Sequence, residues 1–492
     1  PSQYFPTGSR ITLNLAPPPF RAMIPPLLLA LVLPSSESRV ISVFYASRHG
    51  TRAPNPIVED ICPGLKPTLD RFKDIGIAPA GVTGNGLREM YSVGVYARER
   101  YIKEAGLLSK YFDPREIKFV AAEEDRTLQS AATMGQAMYA GPRGFEGYRE
   151  PIPVAVNGTA GRDDLGEVRK ATCAPQLLQD TSKWDKKYGK ELMEKHKDII
   201  DDLSHMCKAN LRLSLQYTDG MENMGDAIKD VTDAMMFAVR ENFPLQFNKT
   251  MYADARRLAL AQLYGRLYFT KEQQNYMVGL FPEVMLNELQ AGVDHLEGRH
   301  LMYGYHGHRE LLYALATFFQ VSFEFPGLGF QKHGIPSGTT LFFELHKLNE
   351  TEAIQENVQE GAGDYVRLVV FSPCANVTLT IKGNADILCK AKAYRFGFNP
   401  HSDYISFAKF RSYIEDRLNF IGSYRDLCPL GPKIASKPQH PHSRKIVKVE
   451  DVDLAGWDLV SAGVFITLGA VLAGILLCIL APWSRCCFRR LL

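Results

Sequence analysis

The chain has 492 residues, 46% of them hydrophobic, and a formal net charge of only +3. That is ample material for a large core and, at ~100–200 residues per domain, for more than one lobe. The small, dispersed basic excess excludes a nucleic-acid-binding protein of the ordinary basic kind, and no repeat or long low-complexity tract interrupts the chain.

In chain order, Met23–Leu33 is a short apolar run preceded by Arg21 and followed by Pro34 and serines. It is too short to cross a membrane and has the proportions of a secretory signal, so residues 1–38 read as leader and signal peptide. Val40 to Tyr45 is β-branched and aromatic, which predicts a buried strand. It runs into Ala46-Ser47-Arg48-His49-Gly50-Thr51-Arg52-Ala53-Pro54, where Gly50 lets the backbone turn tightly. Ligands of open α/β sheets collect outside the carboxyl ends of strands. Two guanidinium groups there suit a small dianion, because Arg matches phosphate oxygens two at a time. His49 between them reads as a nucleophile. A neutral imidazole nitrogen can attack phosphorus, and neighbouring positive charge disfavours its protonation.

This R-H-G-x-R-x-P pattern resembles the signature of the histidine acid phosphatases, and the resemblance extends over roughly residues 40–430. It implies His49 as the residue phosphorylated in the intermediate, with Arg48 and Arg52 holding the phosphate. The fold it implies is α/β, a phosphoglycerate-mutase-like sandwich with a central mixed β-sheet flanked by helices, here over residues 39–428.

Thr83-Gly84-Asn85-Gly86 leads into a predicted helix over Leu87–Lys103, with Leu87, Met90, Tyr91, Gly94, Ala97 and Tyr101 on one face. It is a packing helix, and its pattern is similar to the one after the active turn in acid phosphatases. Phe119 to Ala131 reads as a short strand, an acidic turn and a helix beginning after Arg126, where free amides and the helix dipole favour anions. Taken alone, Arg126 is a surface partner of Glu123 or Glu124. However, D-R-T-L-x-S-A resembles the segment carrying the family's third phosphate-binding arginine, which makes Arg126 a phosphate ligand. The family's preceding S-T-D is replaced by Ala121, Ala122 and Glu123, a change at the substrate rim.

From Gly141 to about Val293 the composition turns to charged helices, including Trp184–Asp202, Gly225–Asn242 and Met251–Phe269. This reads as an inserted cap that sets leaving-group specificity. Gly304 to Leu315 is a predicted glycine-rich turn carrying His306 and His308 into an apolar helix. Two histidines so spaced could ligate a metal, but the sequence offers no companion cluster, so no metal or cofactor is expected. G-H-x-x-x-L-Y-A-L is similar to the acid phosphatases' second histidine motif, which implies that His308 binds phosphate. There the chain departs from its family. The typical pattern is His-Asp, with the aspartate as proton donor; here Arg309 holds that position and the carboxylate comes one residue later, at Glu310. The multiple inositol polyphosphate phosphatases use His-x-Glu, so Glu310 is the expected acid. The competing expectations are that Glu310 pairs with Arg309, or that the donor is lost.

Thr340–His346, Tyr365–Phe371 and Val377–Ile381 are predicted strands of a meander at the sheet edge, with Glu344 and His346 structural. Residues 429–456, rich in Pro, Lys and His, read as a stalk. Leu459–Ala481 contains 23 residues and no charge, about 34 Å as a helix, enough to span a bilayer. Trp457 and Trp483 bracket it within a predicted membrane segment, 457–483. Arg485, Arg489 and Arg490 place the tail, 484–492, in the cytosol, where Cys486 and Cys487 are palmitoylation candidates. This predicts a single-pass type I protein with its body luminal or extracellular, in lysosome, endosome or plasma membrane. Cys62, Cys173, Cys207, Cys374, Cys389 and Cys428 make an even six on that side, consistent with an oxidising compartment. Cys374–Cys389 is the easiest pair to close, and the family resemblance suggests Cys173–Cys428. N-x-[ST] sequons stand at Asn157, Asn248, Asn349 and Asn376.

The expectation is therefore a membrane-anchored phosphomonoester hydrolase acting through a phosphohistidine at acidic pH. Its partners would be a small phosphomonoester and the membrane, not nucleic acid, and a homodimer is compatible with it. The alternatives are an inositol polyphosphate phosphatase and an inactive surface protein that keeps the fold.

Overall fold

Arg39–Arg48 forms strand β1, buried at every position after Arg39, as a continuous apolar run demands of a strand covered on both faces. It is the middle of an eight-stranded mixed sheet among the described residues. In this computed structural model those are 39–139, 151–157, 163–166, 168–211, 224–323, 334–356, 358, 360–373 and 391–428. The other strands are β2 (Ile117–Ala121), β3 (Ala155–Val156), β4 (Met302–Gly307), β5 (Thr340–Leu348), β6 (Gly363–Phe371), β7 (Lys392–Tyr394) and β8 (Tyr404–Ser406). Their order is β3-β2-β4-β1-β5-β6-β7, with β8 also paired to β6. β1 to β4 pair in parallel, and β5 to β8 are added antiparallel. Arg48 is in register with Gly307, and Ala121 with His306, so β1, β2 and β4 all end at the same edge of the sheet.

Helices cover both faces. α1 (Gly84–Ala97) and α2 (Asp125–Met138) pack on one side, where Val43, Tyr45 and Phe119 meet Met90, Val93 and Met134. α3 (Ala174–Trp184), α4 (Lys197–Cys207), α5 (Met224–Arg240) and α6 (Lys249–Leu267) form the inserted helical region. α5 and α6 share a second core with the segment that follows the active turn, through Val231, Phe237 and Leu258 against Val58, Leu65 and Phe72. α7 (Phe281–Val293), α8 (Arg309–Phe318) and α9 (Phe407–Ile421) close the opposite face.

Several elements differ from the sequence expectation for identifiable reasons. The helix predicted to start at Leu87 begins at Gly84, because the Thr83 hydroxyl caps it by accepting from the Gly86 N–H. It then opens into a π-helical segment, Arg98–Glu104, which directs Arg100 and Tyr101 onto the buried Glu344. The expected Trp184–Asp202 helix is interrupted at His196, whose backbone leaves the helical region (φ −112°, ψ 30°). The glycine-rich turn at Gly304 is not a turn: Met302–Gly307 is the strand β4, hydrogen-bonded on both sides. Pairing on two edges satisfies its backbone and overrides the local flexibility of glycine.

Cys173–Cys428 is bonded, as the family resemblance implied, and Cys62–Cys207 ties the segment after β1 to α4. Cys374, Cys389, Asn376, the strand at Val377–Ile381, the leader at 1–38 and the stalk, membrane segment and tail at 429–492 lie outside the described residues. Among the described residues no helix is long and apolar enough to cross a membrane.

Candidate active site

The sheet delivers its chemistry to the edge where β1, β2 and β4 end. His49 follows β1 directly, its N–H bonded to the Gly307 carbonyl at 3.0 Å and its own carbonyl to Gly338 N at 3.1 Å. Its Nδ1 lies 2.8 Å from the Gly50 carbonyl oxygen. A carbonyl only accepts, so Nδ1 carries the proton and Nε2 keeps its lone pair. Burial, then the nearby His308, Arg48, Arg126 and Arg52, hold the imidazole well below the usual histidine range. That environment favours the neutral, nucleophilic tautomer.

Arg48 is fixed from behind, Nη1 donating to the Ile335 carbonyl at 2.5 Å. Arg52 donates to the Ala53 carbonyl at 2.8 Å, with its guanidinium 4.8 Å over the Phe237 ring of α5. Burial and neighbouring arginines lower both to about 10. The Nε atoms of Arg48 and Arg52 have no hydrogen-bond partner among the described residues.

Arg126 was expected just ahead of a helix; it lies inside the first turn of α2, which starts at Asp125. Ser130 explains part of the D-R-T-L-x-S-A motif. Its hydroxyl donates to the Arg126 carbonyl at 2.6 Å and accepts the Gly50 N–H at 3.2 Å, joining the second motif to the first. His308 stands at the N-cap position of α8 without a side-chain capping bond, its ring 5.5 Å from that of His49. The two histidines of the third motif go different ways. His306 Nε2 meets the Tyr45 hydroxyl at 3.0 Å inside the sheet, whereas His308 Nε2 donates to Glu124 Oε2 at 2.9 Å. Glu124 Oε1 is also 3.6 Å from Arg126 Nη2. Arg48, His49, Arg52, Arg126 and His308 thus come together, with the Glu124 carboxylate against two of them.

Glu310 is 7% exposed in the first turn of α8, its Oε1 3.6 Å from Arg309 Nε and 3.8 Å from Arg169 Nη1. Burial favours its neutral form, but Arg169, Arg309, Lys229 and His308 outweigh this and hold it well below the usual carboxylate range. Arg309 turns its other nitrogen, Nη1, to Asp233 Oδ1 on α5 at 2.5 Å. The expected pairing of Glu310 with Arg309 is present.

Sequence reading named Glu124 only as a surface partner of Arg126 and missed its bond to His308. It also missed Asp233, Arg169 and Glu89. Glu89 accepts the Thr51 N–H at 2.7 Å and pairs with Arg240 at 2.8 Å, fixing the turn from below. No periodicity or motif marks these residues; each acts across a long stretch of sequence.

A buried histidine with a free Nε2, ringed by guanidinium groups at the carboxyl edge of a mixed sheet, defines a phosphoryl-transfer class of α/β protein. Residues 73–370 match the histidine phosphatase superfamily (branch 2), and the chain belongs to that family. The matched range begins after the Arg48–Arg52 turn. Among curated proteins no relative matches. Similar solved structures include the phytase of Citrobacter braakii, at 14% identity and TM-score 0.57, covering 77% of this chain and 98% of that one. Hafnia alvei phytase matches at 14% and 0.55, covering 77% and 97%. Klebsiella sp. ASR1 phytase matches at 14% and 0.52, covering 77% and 96%. At such identities the likeness is one of fold.

Proposed function

We propose that this family member is a phosphomonoester hydrolase working through a phosphohistidine at acidic pH. In this reading the phosphate docks on Arg48, Arg52, Arg126 and His308, and His49 Nε2 attacks phosphorus in line. Glu310 protonates the departing alcohol, then takes a proton from the water that hydrolyses the phosphohistidine. Fixed guanidinium groups neutralise the transferring phosphoryl group, so the chemistry calls for no metal. The observation that carries the reading is the hydrogen bond from His49 Nδ1 to the Gly50 carbonyl, which leaves Nε2 unprotonated amid those cations. Trapping of a phosphoenzyme from a labelled aryl phosphate by quenching in alkali, where a phosphohistidine survives, tests it. The expected result is label retained by the wild type and absent from His49→Ala; equal labelling of both sinks the reading.

One observation favours a second reading. The ion pairs of Glu310 with Arg169 and Arg309 oppose the protonated form a general acid needs, which suits a slow or inactive protein that retains the phosphate pocket. Absence of trapped label despite tight phosphate binding would select it. The similar structures are phytases, which raises inositol polyphosphates as substrates; Arg169 adds positive charge beside Glu310, and hydrolysis of phytate against an aryl phosphate separates the two substrate classes. We also propose the layout of signal, luminal body, stalk and single membrane anchor, which the two disulfides suit as bonds of an oxidising compartment.

A further inference from the structure

Beside Arg48 the structure holds a small cavity of about 20 Å³ among α5, α6, α8 and the segment at Ile335. One water needs ~10–15 Å³ of such space. The cavity therefore takes a single particle of roughly that size and is too small for phosphate or a carboxylate.

Its charge is unbalanced. Three guanidinium groups line it, those of Arg48, Arg256 and Arg309, against the one lining carboxylate of Asp233, with Glu310 pairing to Arg309 from outside the lining. Asp233 Oδ1 is taken up by Arg309 at 2.5 Å. Arg48 and Arg256 are 2% and 7% exposed, and their hydrogen bonds go to neutral groups: Arg48 to the Ile335 carbonyl, Arg256 to the Tyr252 hydroxyl at 3.1 Å. The Nε of each has no partner among the described residues. The Tyr313 hydroxyl accepts the Ile335 N–H at 3.0 Å, which leaves its own hydrogen to be donated. Apolar side chains of α5 and α6 make up much of the remaining wall. The cavity thus gathers donors and positive charge in a dry setting, where uncompensated cations are costly.

We propose that this cavity is a binding site for one monatomic anion, chloride under physiological conditions, held by Arg256, Arg48 and the Tyr313 hydroxyl. A water would have to donate two hydrogen bonds where donors already predominate; a halide only accepts. The site would compensate the Arg48 guanidinium, and it stabilises the fold in proportion to occupancy. The proposal concerns binding alone and holds whether or not the chain turns over phosphomonoesters.

Crystals soaked in sodium bromide should show an anomalous difference peak in this cavity. In solution the thermal midpoint of the wild type should rise saturably with chloride or bromide, relative to gluconate at equal ionic strength. Arg256→Gln should lose that response. Should Arg256→Gln fail to fold, Tyr313→Phe removes one donor and should shift the halide response to several-fold higher concentration. Absence of the bromide peak, with water in its place, overturns the proposal. So does a thermal response identical in chloride and gluconate, or one kept in full by Arg256→Gln.

Discussion

Glu124 occupies the two groups, His308 and Arg126, that the proposed chemistry assigns to phosphate. Substrate must take them over, and an ionised carboxylate beside an incoming dianion opposes it. Glu124→Gln should therefore lower KM for a phosphomonoester roughly 2–5-fold near neutral pH, the worth of a part-exposed ion pair. KM measured for both proteins under the same conditions checks this. Glu310 presents the opposite problem. Burial alone would raise it, but Arg169, Arg309, Lys229 and His308 hold it below the ordinary carboxylate range. It takes up its proton only as pH falls through that low range, so kcat should rise towards acid. Glu310→Gln should remove that rise and cost ~10²–10⁴ in kcat. An unchanged pH–rate profile would assign the proton to another group.

At the level of elements, the active turn is set by how closely α1 approaches it. A Cβ on Gly86 would sit 2.0 Å from the Thr51 carbonyl oxygen, and one on Gly50 would sit 2.2 Å from the Gly86 carbonyl oxygen. Neither obstacle is a side chain that could swing aside, so α1 or the turn must move. A shift of about 1 Å in a catalytic turn can cost ~10² in rate. Gly86→Ala is therefore expected to lower kcat/KM about 100-fold while costing ~1–3 kcal/mol of stability, as overpacking does. Steady-state kinetics alongside urea denaturation checks both. Ser130 and Glu89 hold the same turn from α2 and α1, so two helices define one short loop.

Across the whole molecule, a buried ionic pair bears on the acid range in which the proposed enzyme works. Glu344 is fully buried in β5; burial raises its carboxyl, but bonds from His346 and Arg100 more than offset this and lower it from 4.5 to about 2. At 1.36 kcal/mol per unit, this contributes about 3 kcal/mol. Because the folded-state value is the depressed one, the contribution is complete above about pH 4.5 and fades as pH falls towards 2. Glu344→Gln should cost ~3–5 kcal/mol near neutral pH by stranding its partners, and the gap to wild type should narrow in strong acid. Denaturation midpoints of both proteins at the two pH extremes check the sign. Cys173–Cys428, 255 residues apart in sequence, adds a constraint that closes most of the body on itself.

What the sequence by itself determined is the local chemistry. Apolar strand and glycine turn are short-range signals, and they located Arg48, His49 and Arg52 before any fold was known; Arg126 and His308 followed only from the resemblance of their segments to the family's motifs. The strands at β1, β5 and β6 were legible for the same reason, since alternation and β-branching act between neighbours. Only the tertiary structure decided that Met302–Gly307 is an inner strand, because pairing with β1 and β2 satisfies a backbone its glycines would leave loose. It alone set Glu124 on His308, Asp233 on Arg309 and Cys62 on Cys207. Those contacts join residues 76 to 184 positions apart, and no periodicity in a chain records which distant charge or thiol will meet which.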